Sequence, residues 1–316
     1  MNADITPVEG NTSRVNNRIR QIAWMVIGLL VIFLLGLGSG YLKWGQDETA
    51  EARQQKELAA LHEQVNPPDG FALSVSYGSL GPRLVEAGVI DYDAFAAIYE
   101  NSGNPLSTEQ IEILKNGSDG EIVIDADNAH FLLNFFWAIG LANQNSILTE
   151  GPMVQNSDGQ VERFASTGGW SLATKPVTEL YASMDLIRLT AAQQKLVEEV
   201  AAGIYRPCCN NHTLFPDCNH GMAMLGVLQL MASKGATAEE MFEAAKYINA
   251  YWFPQQTLET AIYLQLNENV DFKDADAKLV VSEKFSSGSG ASMIHEDLQA
   301  KGLLKQSPGQ GGSCAN

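Results

Sequence analysis

Cysteine is scarce in this chain: four residues in 316, and no two of them stand in a C-x-x-C pair. That absence excludes the C-x2-C type of structural zinc motif, the thioredoxin dithiol and covalent haem attachment through C-x-x-C-H. Cationic residues are also few, 20 Lys and Arg against 37 Asp and Glu, for a formal charge of −17. Nucleic acid and anionic lipid surfaces both require a cationic face, so neither is expected as the main partner. Solubility and attraction of cations are the consequences of such a charge. The chain has no Gly-rich phosphate loop, no G-x-S-x-G elbow and no H-E-x-x-H motif, and no repeat period.

Long apolar runs are absent except for one. Residues 22–42 read IAWMVIGLLVIFLLGLGSGYL without a charge, long enough to cross a bilayer once. Arg14, Arg18 and Arg20 precede this run, whereas Asp47, Glu48 and Glu51 come after it. The positive-inside rule then puts the N-terminus in the cytoplasm and the bulk of the chain outside. A leader of about twenty residues before the run, and a run longer than the usual 7–15 or so, favour an uncleaved anchor over a signal peptide. Trp24, Tyr41 and Trp44 suit the two interfaces. The expectation is a single-pass cell-membrane protein: a cytoplasmic tail over 1–21, an anchor over 22–42 and a juxtamembrane stalk over 43–70. Beyond the stalk, a domain is expected over 71–285 and a flexible tail over 286–316.

The expected fold class is mainly α, a multi-helix globular domain with a few short strands at most. Strong helix formers fill 48–65, and Asn66-Pro67-Pro68-Asp69-Gly70 breaks that helix. Residues 71–77 and 121–124 alternate as short strands do. The run from Asp125 is apolar nearly all round between Phe131 and Leu141, which predicts a buried helix. His130 and Asn134 stand four apart on it, the spacing of a hydrogen-bonded core pair more often than of a metal site. Turn-forming residues fill 151–180. Thr190 with Gln193, and Thr237 with Glu240, have capping-box spacing at the start of two further helices. The sequons at Asn11, Asn116 and Asn211 bear on the protein only in a host that glycosylates.

Chemistry concentrates between Arg206 and Gly226, RPCCNNHTLFPDCNHGMAMLG, which holds three of the four cysteines and two of the five histidines. Cys208, Cys209, Cys218 and His220 form a C-C-x8-C-x-H pattern whose thiolate and imidazole donors suit copper or zinc. His212, Asp217 and Met222 are secondary candidates. A helix after Asn219 points its first N–H groups at Cys218, and Arg206 adds positive charge, so Cys218 is the thiol expected to deprotonate most readily. Asp217 is placed as the cap of that helix. Met222 and Met224 point apart on a helix and read as core. Adjacent cysteines in extended chain face opposite ways, so both can ligate only if the chain turns there.

This stretch supports two readings. In the first, a membrane-anchored extracytoplasmic protein binds a soft metal ion through Cys208, Cys209, Cys218, His220 and His212, in metal handling or redox. In the second, the oxidising compartment converts the thiols to disulfides, one of Cys208 or Cys209 with Cys218 and the other free or with Cys314, stapling a non-catalytic interaction domain. An enzyme with Cys218 as nucleophile and His220 or His212 as base is a third arrangement, one that neighbours so close in sequence rarely reach. Catalysis, the protein partner and the oligomeric state are not decided by the sequence.

Overall fold

In a computed structural model the described residues are Thr49, 52, 53 and 55–304. The expected cytoplasmic tail, the expected anchor over 22–42 and Cys314 lie outside them. Among the described residues no helix is long and apolar enough to cross a membrane. The chain divides into two units, 1–60 and 61–316. The second is mainly helical, as expected.

This second unit begins with residues 61–65, which are helical and bury Leu61 and Val65. Strand β1 (Phe71–Gly78) pairs antiparallel with β2 (Ser118–Ile124), from Phe71 opposite Ile124 to Gly78 opposite Ser118, with irregularities of register on either side of Ser76. The ribbon buries Leu73, Val75, Tyr77, Ile122 and Ile124. Three helices fill the connection: α1 (Leu80–Glu86), α2 (Tyr92–Asn101) and α3 (Thr108–Lys115). The Asp91 carboxylate accepts from the first N–H groups of α2, and Ser107 with Gln110 forms the capping box of α3.

Helix α4 (Ala129–Ala142) is buried along its whole length save His130, which explains why its sequence shows no polar face. Asn134 donates to the Tyr99 hydroxyl at 2.9 Å and stands 3.4 Å from His130 Nε2; the two are neighbours as the spacing predicts, but His130 is exposed, so only Asn134 belongs to the core. Residues 151–180 form short helical turns rather than a continuous loop. Within them Trp170 packs edge-on against Trp137 at 5.0 Å and donates to the Val89 carbonyl. Gly168 and Gly169 leave no room for a Cβ against the Glu162 and Ala165 carbonyls, so they are packing glycines.

Helix α5 (Ala191–Gly203) leads into the cysteine stretch, and α6 (Asn219–Ser233) leaves it. Helix α6 is buried from Gly221 to Ala232 and lies against α4 at the centre of the main core. Two glycines set how close these helices come. A Cβ at Gly140 would overlap the Met222 carbonyl, and one at Gly226 the Phe136 carbonyl. Met222 and Met224 are core residues of this contact, as expected.

Helices α7 (Ala238–Trp252), α8 (Pro254–Asn267) and α9 (Gly288–Ala300) complete the unit. Phe272, Phe285, Ile294 and Leu298 join Leu61, Val65 and Tyr247 in a second apolar cluster. Residues 286–300 therefore depart from the expected flexible tail. The Ser287 hydroxyl accepts from Gly290 N and starts α9, and Ser286 and Ser287 are themselves buried. A serine and glycine run supplies a helix cap here rather than a linker.

Gly226→Ala is expected to cost about 1–3 kcal/mol, because the added methyl meets backbone that no rotamer change can move. Urea unfolding of the variant beside the parent measures it; an unchanged midpoint would show that α4 and α6 do not pack this closely.

Candidate metal centre

The site is built on a loop that one side chain holds in place. After α5 the chain pairs Thr213 N with the Ile204 carbonyl at 2.8 Å and Leu214 N with the Ala201 carbonyl at 3.1 Å, so residues 205–214 close on the end of that helix. Within this closure Arg206 is almost wholly buried, its side chain 2% exposed. Its guanidinium spends its donors on the loop itself. Nε donates to Cys218 Sγ at 2.9 Å, one terminal nitrogen to the Asn211 carbonyl at 2.9 Å, and the other to the Phe215 carbonyl at 3.2 Å and Asp217 Oδ1 at 2.6 Å. Asn211 Nδ2 donates to the second oxygen of Asp217 at 2.8 Å. A buried guanidinium is tolerable only when its donors are met this way. Gly221 leaves the space: a Cβ there would press on the guanidinium at 2.6 Å.

Two turns bring the sulfurs to one side. Cys209 N donates to the Arg206 carbonyl at 3.3 Å, closing a turn through Pro207 and Cys208. That turn removes the opposed geometry of adjacent extended residues. Cys218 is the N-cap of α6, and its Sγ accepts from Gly221 N at 3.4 Å. Asp217 is not the cap, contrary to expectation, because its carboxylate is committed to Arg206 and Asn211. Cys208 Sγ and Cys218 Sγ lie 3.6 Å apart, and the three sulfurs all fall within 4.8 Å of one another. No sulfur pair among the described residues is at disulfide distance, about 2.0 Å. Helix α9 supports the Cys209 side: Gly288 N donates to the Cys209 carbonyl at 2.7 Å and Ser289 N to Asn210 Oδ1 at 2.8 Å.

The electrostatics single out one sulfur. Hydrogen bonds from the Cys208 and Cys209 thiols, then the Arg206 charge and His220, hold the Cys218 thiol well below its ordinary range in spite of burial. Hydrogen bonding to Cys209 and Cys218, with burial, pushes the Cys208 thiol up. Burial works against the charge on Arg206, but the three neighbouring sulfurs outweigh it and raise its pKa. Of the three sulfurs, Cys218 is therefore the one that gives up its proton most readily.

The histidines stand at the edge. His220 packs on Phe253 at 4.4 Å between ring centroids and near Trp252 at 5.7 Å, and its Nδ1 is buried without a partner. It contributes to lowering the Cys218 pKa but is not in the group of three sulfurs. His212 lies edge-on to Tyr205 at 5.7 Å, also outside that group, and burial lowers its pKa. Met222 faces the helix core. Sequence reasoning gave Arg206 only a charge and missed Asn211 and Gly221, whose roles depend on the folded loop. Three cysteines so arranged can hold a metal ion. Comparison with protein-family models, with curated proteins and with solved structures finds no match to this chain.

The depressed thiol has a sign that can be tested. Folded Cys218 holds its proton less tightly than the unfolded thiol, whose ordinary value is 9.0. Its contribution to stability is thus full above that value and is lost as pH falls through the folded one. Thiolate ultraviolet absorbance of the reduced, metal-free protein should titrate a single thiol well below the ordinary range. In Arg206→Lys, which cannot reproduce the fork, that step should move up. A midpoint unchanged by the substitution would separate Arg206 from the thiolate.

Proposed function

We propose that this is a membrane-anchored, extracytoplasmic metal-handling protein that binds one soft ion, copper(I) or zinc, through Cys208, Cys209 and Cys218. The observation that carries the reading is the convergence of three sulfurs within 4.8 Å on one side of a loop. Sulfurs around a tetrahedral zinc with bonds of about 2.3 Å stand about 3.8 Å apart, close to the 3.6 Å between Cys208 and Cys218. Soft thiolates without oxygen donors favour copper(I) or zinc over hard cations. Arg206 fits such a centre as an outer partner: its N–H orients Cys218 Sγ and its charge offsets part of the negative charge of three thiolates. Copper(I) is satisfied by the three sulfurs, whereas zinc calls for a fourth ligand. The unpartnered His220 Nδ1 is the nearest imidazole nitrogen in sequence to supply it.

The same 3.6 Å contact supports the second reading, because Cys208 and Cys218 are the pair that an oxidant would join first. In that state the protein would be a stapled interaction domain. Thiol counting under denaturing, non-reducing conditions separates the readings: at most one free among these cysteines favours the staple, and three favour the metal site.

Full-length protein purified reduced and exposed to copper(I) or zinc should retain one ion per chain by elemental analysis. Cys209→Ser and Cys218→Ser should each abolish retention, and His220→Ala should weaken zinc while sparing copper(I). Because the cysteines bind an ion as thiolates, loading should release protons, and affinity should rise with pH. Reduced protein that retains neither metal would remove the proposal.

A further inference from the structure

The three sulfurs differ in how far they can move. Cys218 caps α6 and its carbonyl accepts from Met222 N at 3.0 Å, so its backbone belongs to the helix. Cys209 is held on both sides: its N–H donates to the Arg206 carbonyl at 3.3 Å, and its carbonyl accepts from Gly288 N at 2.7 Å. Cys208 lies inside that turn, and among the described residues neither its N–H nor its carbonyl forms a hydrogen bond. It is half-buried, whereas Cys218 is buried.

The sulfur on the least restrained backbone is also one already in contact. Cys208 Sγ stands 3.6 Å from Cys218 Sγ, and a disulfide of about 2.0 Å between them needs only Cys208 to approach. The other two pairings are opposed. Cys208 with Cys209 would close a strained ring across a single peptide bond. Drawing Cys209 toward Cys218 pulls against its bonds to Arg206 and to α9.

We propose that Cys208 and Cys218 form a redox gate on the metal centre: a peroxide joins them in a disulfide and the bound ion leaves. The gate rests on the metal reading, and it makes the loaded site and the stapled loop two states of one protein. In the loaded site both sulfurs are thiolates. The Cys208 sulfur, the more accessible of the two, attacks one oxygen of hydrogen peroxide; the O–O bond breaks, hydroxide leaves and Cys208 becomes a sulfenic acid. The Cys218 sulfur then attacks that sulfur, the S–S bond forms, the S–O bond breaks and a second hydroxide leaves. The two sulfurs lose two electrons in all, the peroxide gains them, and the hydroxides take protons from water. Cys209 remains as a single thiolate, too few donors to keep a soft ion.

The same surroundings favour the way back. In the reduced site Cys218 Sγ accepts from Arg206 Nε at 2.9 Å and from Gly221 N at 3.4 Å. A thiolate gains more from such donors than a disulfide sulfur does, so they stabilise the reduced form over the bridged one. A dithiol returns the two electrons by exchange and ends as its own disulfide, which leaves the sulfurs ready for another ion.

Zinc is the probe of choice, because it has no redox chemistry of its own and every electron then comes from sulfur. Full-length protein is loaded with zinc, freed of excess and titrated with hydrogen peroxide. A chromophoric chelator reads the released zinc, and peptide mapping without reduction reads the bridge. About one zinc should leave per peroxide consumed, together with a Cys208–Cys218 disulfide and a Cys209 that still takes an alkylating reagent. After dithiothreitol is added and removed, zinc uptake should return in full. Metal-free Cys209→Ser should form the same bridge, which reads the pair apart from the metal. Zinc kept while the bridge forms, zinc lost with no bridge, or a first bridge that includes Cys209 or Cys314 would overturn the gate and leave the metal reading intact. Protein that takes up no zinc before peroxide is added would remove the metal reading and the gate together.

Discussion

The buried guanidinium of Arg206 is the interaction on which the cysteine site depends. It replaces the water that the 207–218 loop would otherwise need, by donating to two carbonyls, a carboxylate and a sulfur. A positive charge so far from solvent must be matched by negative charge nearby, and the loop provides it in Asp217 and in the Cys218 thiolate. Each element of the site requires another. The thiolate is stabilised because the arginine is present, and the arginine is tolerated because the thiolate and carboxylate are. Removing one partner would leave the other buried without compensation.

The rest of the unit supplies rigidity. Helix α6, whose N-terminus caps on Cys218, is held against α4 at a distance set by glycines 140 and 226. Helix α5 delivers Arg206, and α9 fixes the Cys209 backbone from the other side. The three sulfurs are thus placed by three separate parts of the fold rather than by the loop alone. A site positioned this way keeps its geometry before any ion arrives, which lowers the ordering cost of binding.

Much of this was legible in the sequence because local rules governed it. The capping boxes at Thr190 and Thr237 began helices where their spacing predicted. The apolar run after Asp125 became the buried α4, and the pull of a helix N-terminus on Cys218 is present as a hydrogen bond from Gly221 N. What was not legible depended on contacts distant in sequence. Asp217 resembled a cap until Arg206 claimed it, and the Ser286 to Gly290 run resembled a linker until α9 found the second apolar cluster. The place of the histidines beside aromatic rings has no local signature, since it results from which helices meet. Tertiary packing decided these features, and periodicity cannot report it.

The most direct measurement of the central claim is X-ray absorption at the metal edge of the reduced protein loaded with copper(I). The account predicts a first shell of three sulfur scatterers with no nitrogen or oxygen, lost when Cys209 or Cys218 is replaced by serine. A shell of nitrogen and oxygen, or one unchanged by either substitution, would contradict it.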